Sequence, residues 1–211
     1  MLGLRVVGVA SAGRGPWSFF AAPGETALLS GPSGTGKSLL LRALADLDPH
    51  AGEVRLNGAA QEEVSGPEWR RRVGYLPAES AWWRDRVEDH FPLASREGAG
   101  AAALTERLEG LGLSPEALRW PVQRLSSGER QRLAVARLLA GEPDCLLLDE
   151  PTANLDGESA QRVEAVTAAY LRRRNAPAVW VSHDPAQWRR VGGRHWLLTP
   201  TGMTEEGSWA V

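Results

Sequence analysis

Gly31-Pro32-Ser33-Gly34-Thr35-Gly36-Lys37-Ser38 is the stretch on which the rest of this chain hangs. Its spacing, G-x-x-x-x-G-K-S, is that of a phosphate-binding P-loop. Backbone N–H groups of the glycine-rich turn cradle phosphates, the lysine reaches the β- and γ-phosphates, and the serine hydroxyl is available to Mg2+. The lysine stands alone. The chain has 24 basic residues and only Lys37 is not an arginine, a placement expected by chance about one time in 24. An ammonium is a compact point charge on a slim stem and fits inside a tight ring of N–H groups. A guanidinium is a wide planar fork and does not.

Both flanks agree with the motif. Thr26-Ala27-Leu28-Leu29-Ser30 is an apolar strand candidate, and Leu39-Leu40-Leu41-Arg42-Ala43-Leu44 has helical periodicity. Strand, glycine loop and helix in that order aim a helix N-terminus at a phosphate.

With 211 residues the chain is read as a single domain, 1–211, long enough for a proper core and at most one sub-domain. A formal net charge of −2 supplies no global basic field, so no nucleic-acid partner is expected. The runs Arg70-Arg71-Arg72 and Arg172-Arg173-Arg174 are read as solvated helix faces or ends. One cysteine, Cys145, sits in an apolar run and excludes a disulfide framework, which fits a reducing compartment. Arg5 interrupts the apolar N-terminus, which therefore predicts a first strand rather than a signal peptide. No segment approaches the roughly 20 apolar residues of a membrane helix, so a soluble protein is expected.

Short strands are predicted at Arg5-Val6-Val7, Trp17–Phe20, Glu53–Leu56 (turning at Asn57-Gly58) and Val73–Leu76. From about 79 to 125 the strand signal vanishes, and a small helical sub-domain is expected there, broken at Gly98, Gly112, Pro115 and Pro121. A helix from Glu129 to Ala140, an apolar strand Cys145–Leu148, a helix from about Glu158 to Arg174 and a strand Ala178–Val181 follow. Alternating β and α segments with uniformly apolar strands predict a parallel sheet covered on both faces.

Two further motifs carry chemistry. The strand at Cys145 ends in Asp149-Glu150, and ligands of open α/β sheets bind beyond that edge. Successive residues leaving a strand point apart, so Asp149 is assigned to Mg2+ and Glu150 to polarising an attacking water. Ser126-Ser127-Gly128-Glu129 opens a helix: a serine N-cap with Glu129 in the first turn, or a second anion site.

Taken in order, the P-loop, Leu125-Ser126-Ser127-Gly128-Glu129, Leu148-Asp149-Glu150-Pro151, Ala153-Asn154-Leu155-Asp156 and Val181-Ser182-His183-Asp184 resemble the ATP-binding cassette (ABC) ATPases over essentially the whole chain. The resemblance implies an α/β P-loop NTPase (RecA-like) core with a mainly parallel sheet, an N-terminal antiparallel β layer and the small α-helical sub-domain. It implies ATP and Mg2+ as cofactors, and two copies sandwiching two ATPs. Ser126, Ser127, Gly128 and Glu129 would then face the partner copy's γ-phosphate, Asp156 would lie in the D-loop at the interface, and His183 would be the switch histidine. Its further implication is an ATP-hydrolysing subunit that drives separate integral membrane permease subunits from the cytoplasmic face. A soluble or regulatory ABC ATPase with weak turnover is the alternative.

This chain departs from the family pattern at three places. The signature reads Ser-Ser-Gly-Glu where Ser-Gly-Gly-Gln is usual. Ala78 replaces a glutamine that usually helps hold Mg2+ and signal to the membrane partner, with Glu79 next to it. Ser11-Ala12-Gly13 occupies the stretch from which an aromatic usually stacks on adenine, and Trp17 fits the next strand instead. Trp82 and Trp83 follow Ala78 closely. Adjacent residues point to opposite sides, so one ring inside and one outside is expected, the outer one docking the permease.

Overall fold

The strands expected to be buried on both faces are so in the computed structural model, which describes residues 2–209. β3 (Thr26–Ser30), β7 (Cys145–Asp149) and β8 (Ala178–Val181) are buried at every position. Their side chains alternate between two cores. Leu28, Leu146, Leu148 and Trp180 join one, and Leu29, Leu147, Val179 and Val181 join the other. Burial of each such leucine contributes about 2 kcal/mol, and a polar residue at any of these positions would lie unsolvated.

These strands belong to a six-stranded sheet in the order β10-β9-β3-β8-β7-β6, with β6 at Val73–Leu76, β9 at Gly193–Thr199 and β10 at Gly202–Trp209. All neighbours pair in parallel except β10, which runs antiparallel to β9. A second, antiparallel sheet has the order β2-β1-β4-β5 and comprises β1 (Leu4–Ser11), β2 (Arg14–Ala21), β4 (Ala51–Leu56) and β5 (Ala59–Ala60). The helix α1 (Lys37–Leu44) lies between the two sheets, burying Leu40, Leu41 and Leu44 in their shared core.

α2 (Gly66–Arg72) and α5 (Gly157–Arg174) each end in their arginine triplet, where cations oppose the partial negative charge of the helix C-terminus. The insertion expected at about 79–125 is less helical than its composition suggests. It holds one α-helix, α3 (Gly98–Gly110), and otherwise single 3-10 turns, two of them preceded by Pro92 and Pro121 and a third begun by Pro115. Proline fixes the backbone at those points and forbids a continuous helix. α4 (Ser127–Ala140) packs on the other face of the sheet, and α6 (Pro185–Val191) follows β8. Among the described residues, no helix is long and apolar enough to cross a membrane.

Candidate active site

Strand order gathers the chemistry. β3, β8 and β7 are adjacent and parallel, with Leu29 beside Val181 and Val181 beside Asp149. Their C-terminal ends therefore deliver Gly31, Ser182-His183 and Asp149-Glu150 to one edge of the sheet.

The P-loop leaves β3 through glycines no other residue could replace. Gly31 has φ +142, and a Cβ there would lie 2.4 Å from the Leu198 carbonyl oxygen. Gly36 has φ +104 and rests on the ring of Trp17, which is fully buried beneath it. Trp17 is thus a floor under the loop, in the strand expected for it. Lys37 is 7 % exposed, and its Nζ donates to the carbonyls of Gly31 (2.8 Å) and Pro32 (3.1 Å). Burial lowers its pKa, and the carboxylates of Glu150 and Asp149 oppose that shift. The Thr35 hydroxyl donates to the Pro32 carbonyl at 2.9 Å and closes the turn.

Asp149 is 4 % exposed, and its pKa is raised, chiefly by burial; a hydrogen bond from the Ser38 side chain works against this. The Tyr75 hydroxyl on β6 stands 3.5 Å from Asp149 Oδ2. A serine hydroxyl and a carboxylate, both hard oxygens, meet at the phosphate cradle, which fits Mg2+: that ion takes one or two protein oxygens and completes its shell with water and phosphate. Among the described residues there is no cluster of three or more acidic, histidine or cysteine side chains that would make an all-protein cage. Ala78 and Glu79 are both exposed, and neither lines the P-loop cavity.

Glu150 adopts φ +49, a left-handed backbone unusual for a side chain of its size. Such strain collects at functional positions. Its Oε1 lies 3.1 Å from His183 Nε2. Both residues also line a second cavity of about 480 Å3 with Thr152, Leu155, Ser182 and Asp184.

The signature segment lies elsewhere. Ser126 N-caps α4 in a reciprocal box: its Oγ accepts from the Glu129 N–H (3.2 Å), while Glu129 Oε2 accepts from the Ser126 N–H (2.9 Å) and hydroxyl (2.8 Å). These hydrogen bonds lower the Glu129 pKa. Ser126 and Ser127 are exposed, and none of Ser126, Ser127, Gly128 and Glu129 lines the P-loop cavity. Within one chain the two groups of residues thus do not line a common cavity. Asp156 caps α5 through the Ser159 N–H at 2.8 Å.

Some contacts beside the candidate site escaped sequence reasoning. Gln187 on α6 donates at 2.8 Å both to Thr152 Oγ1 and to the buried Glu164, which Arg190 grips with two hydrogen bonds of 2.8 Å. This ties the segment after β7 to the helix after His183. No motif surrounds Gln187, and only three-dimensional proximity exposes this link.

The sequence profile of the family described as ABC transporter matches residues 16–153, more than half of the chain. The chain belongs to the ABC transporter family. This cassette is 38 % identical to the glutathione/L-cysteine transport system ATP-binding/permease protein CydD of Escherichia coli (strain K12), across 93 % of the chain and 34 % of the relative. It is also 38 % identical to the aliphatic sulfonates import ATP-binding protein SsuB 2 of Burkholderia cenocepacia (strain HI2424), across 85 % of the chain and 65 % of the relative. The cassette therefore spans from about a third to just under two thirds of these relatives. A dimeric ATP-binding cassette in a post-hydrolysis state, bound to ADP and Pi, superposes with a TM-score of 0.81 at 22 % identity, covering 97 % of this chain and 98 % of that one. A bacterial Atm1-family ABC exporter with ATP bound gives 0.83 at 24 % identity, covering 98 % and 38 %. At those identities the likeness bears on the fold, which is the P-loop cassette expected.

Proposed function

We propose that this cassette is the ATP-binding and ATP-hydrolysing subunit of an ABC transporter. The observation that carries the reading is Glu150, held 3.1 Å from His183 at the edge of the cavity that contains Lys37. In this reading the P-loop N–H groups and the Lys37 ammonium neutralise the triphosphate. Glu150 takes a proton from water as the water oxygen attacks the γ-phosphorus, and ADP departs with the bridging oxygen. His183 orients Glu150 and the γ-phosphate. Ser38 and Asp149 would hold Mg2+, which would supply charge neutralisation for the phosphates when bound.

The placement of this segment bears on the assembly. Ser126 and Ser127 are exposed, and none of residues 126–129 lines the P-loop cavity, so in this reading a second copy brings them to a γ-phosphate. A membrane permease is the further partner, met at the cytoplasmic face through the surface around Trp83. Trp83 is 67 % exposed, whereas Trp82 packs against the core. Arg137 lies over both rings (4.5 and 5.3 Å), and its side chain donates to the Ala81 carbonyl at 3.0 Å. His90 contacts both rings edge-on and accepts from the N–H groups of Trp83 and Arg84, so the pair is held rigid. A rigid exposed indole is a common anchor at binding hot spots.

Glu150→Gln tests the central assignment. Phosphate release should fall by at least about a hundredfold, and gel filtration with ATP should show a trapped species of twice the mass. Undiminished hydrolysis by the variant refutes the assignment.

A further inference from the structure

The cavity over the P-loop has a volume of about 420 Å3 and is lined by Arg14, Ser33, Lys37, Ser38, Leu39 and Glu150 with the backbone of Gly34 and Gly36. On the proposed function, the loop N–H groups, Lys37 and Ser38 serve phosphates, and Glu150 serves water. Arg14 and Leu39 remain for the nucleoside. No aromatic ring and no side-chain amide lines the space. Trp17, the indole nearest to it, is sealed under Gly36.

Arg14 opens β2 and is half-buried. Its Cδ comes within 3.4 Å of the point where a Cβ on Gly36 would sit, so the stem crosses the loop where α1 begins. Arg42, Arg190 and Arg194 are each clamped by a carboxylate. Among the described residues, the Arg14 guanidinium has no hydrogen bond or ion pair of that kind. A free planar cation thus stands at the mouth of a site for a base-bearing anion.

We propose that Arg14 is the nucleobase platform of this site, and that the site accepts ATP and GTP alike. A guanidinium plane stacks on any base face and adds cation–π attraction. It does not distinguish the edges. Adenine and guanine differ in the order of their donors and acceptors, and reading that order needs donor and acceptor side chains in fixed places. Leu39 has neither. The inference rests on the P-loop cavity being the nucleotide site.

Calorimetry on the full chain with Mg2+ and three ligands, ATP, GTP and inorganic tripolyphosphate, separates the possibilities. ATP and GTP should bind within about threefold of one another. Arg14→Ala should weaken both by about two- to thirtyfold and leave tripolyphosphate unchanged. Arg14→Lys retains the charge without the plane, and should recover only part of the loss seen in Arg14→Ala. GTP binding more than about tenfold weaker than ATP overturns the base tolerance. An equal loss for tripolyphosphate, or full rescue by lysine, overturns the platform, since the side chain would then be a phosphate contact. If the parent chain binds none of the three, the nucleotide site itself is misplaced and this inference falls with it.

Discussion

Gly36→Ala probes why the loop can be built at all. Gly36 lies at φ +104, and a Cβ there would meet two carbons of the Trp17 ring at 2.9 and 3.0 Å. Two penalties combine. A left-handed backbone costs alanine about 1–2 kcal/mol, and forcing a methyl against a fully buried ring costs about 1–3 kcal/mol. The total of about 2–5 kcal/mol is a large part of the roughly 5–15 kcal/mol that holds a domain together. At about 2–4 °C per kcal/mol for a chain of this size, Tm should fall by about 4–20 °C. Gly34→Ala is the internal control. Its φ is +79 but nothing lies within 4 Å of its added methyl, so only the first penalty applies and Tm should fall by about 2–8 °C. Thermal unfolding of both variants without nucleotide, followed by circular dichroism, isolates the Trp17 contact as the difference. Adding Trp17→Phe to Gly36→Ala should destabilise by less than the sum of the two single changes, because the clashing ring is then smaller. Equal Tm losses for Gly34→Ala and Gly36→Ala would refute the claim that Trp17 dictates glycine at 36.

Lys37→Arg should lower ATP affinity at least about tenfold by calorimetry, because the fork cannot enter the space in which Nζ contacts Gly31 and Pro32; an unchanged Kd refutes the steric account. Trp83→Ala should leave Tm within about 2 °C and abolish co-purification with the proposed permease partner, whereas Trp82→Ala should cost about 1–3 kcal/mol of stability. Destabilisation by both changes with binding intact would mean packing and no docking. Asp149→Asn should raise Tm at neutral pH in the absence of Mg2+. The folded pKa of Asp149 lies above its ordinary 3.8, so the folded state binds the extra proton and stability falls as pH rises through that window. Removing the charge removes the penalty, and the gain should vanish as pH falls below 3.8; a gain that persists there refutes the burial account.

Much of the candidate site's layout was legible because its parts are local. The P-loop is eight consecutive residues, Asp149-Glu150 is a strand end, and Ser126 with Glu129 is a cap whose partners are three residues apart. Uniformly apolar strands announced a sheet covered on both faces, and the structure distributes alternate residues to two cores. The placement of Trp17 in a strand and the split between half-buried Trp82 and exposed Trp83 followed from period-two geometry. Long-range relations were not legible. The 3.1 Å contact between Glu150 and His183 spans two strands, the link from Gln187 to Thr152 joins two connecting segments, and Tyr75 reaches Asp149 across 74 residues. Residues 79–125 read as helical because alanine, leucine and glutamate favour helix locally, and the expected breaks, joined by Pro92, leave one α-helix and short 3-10 turns.

The end of β7 has an evolutionary consequence. Asp149 is a carboxylate disfavoured by its burial, and Glu150 next to it is a non-glycine residue in a left-handed turn. Asparagine at the first position and glycine at the second would each relax the fold. A library of this gene screened for heat tolerance alone should therefore lose these two acids early, and on the proposed function it would drift toward a sturdier protein that no longer turns over. On the proposed function, what holds both acids in place is selection on turnover rather than on folding.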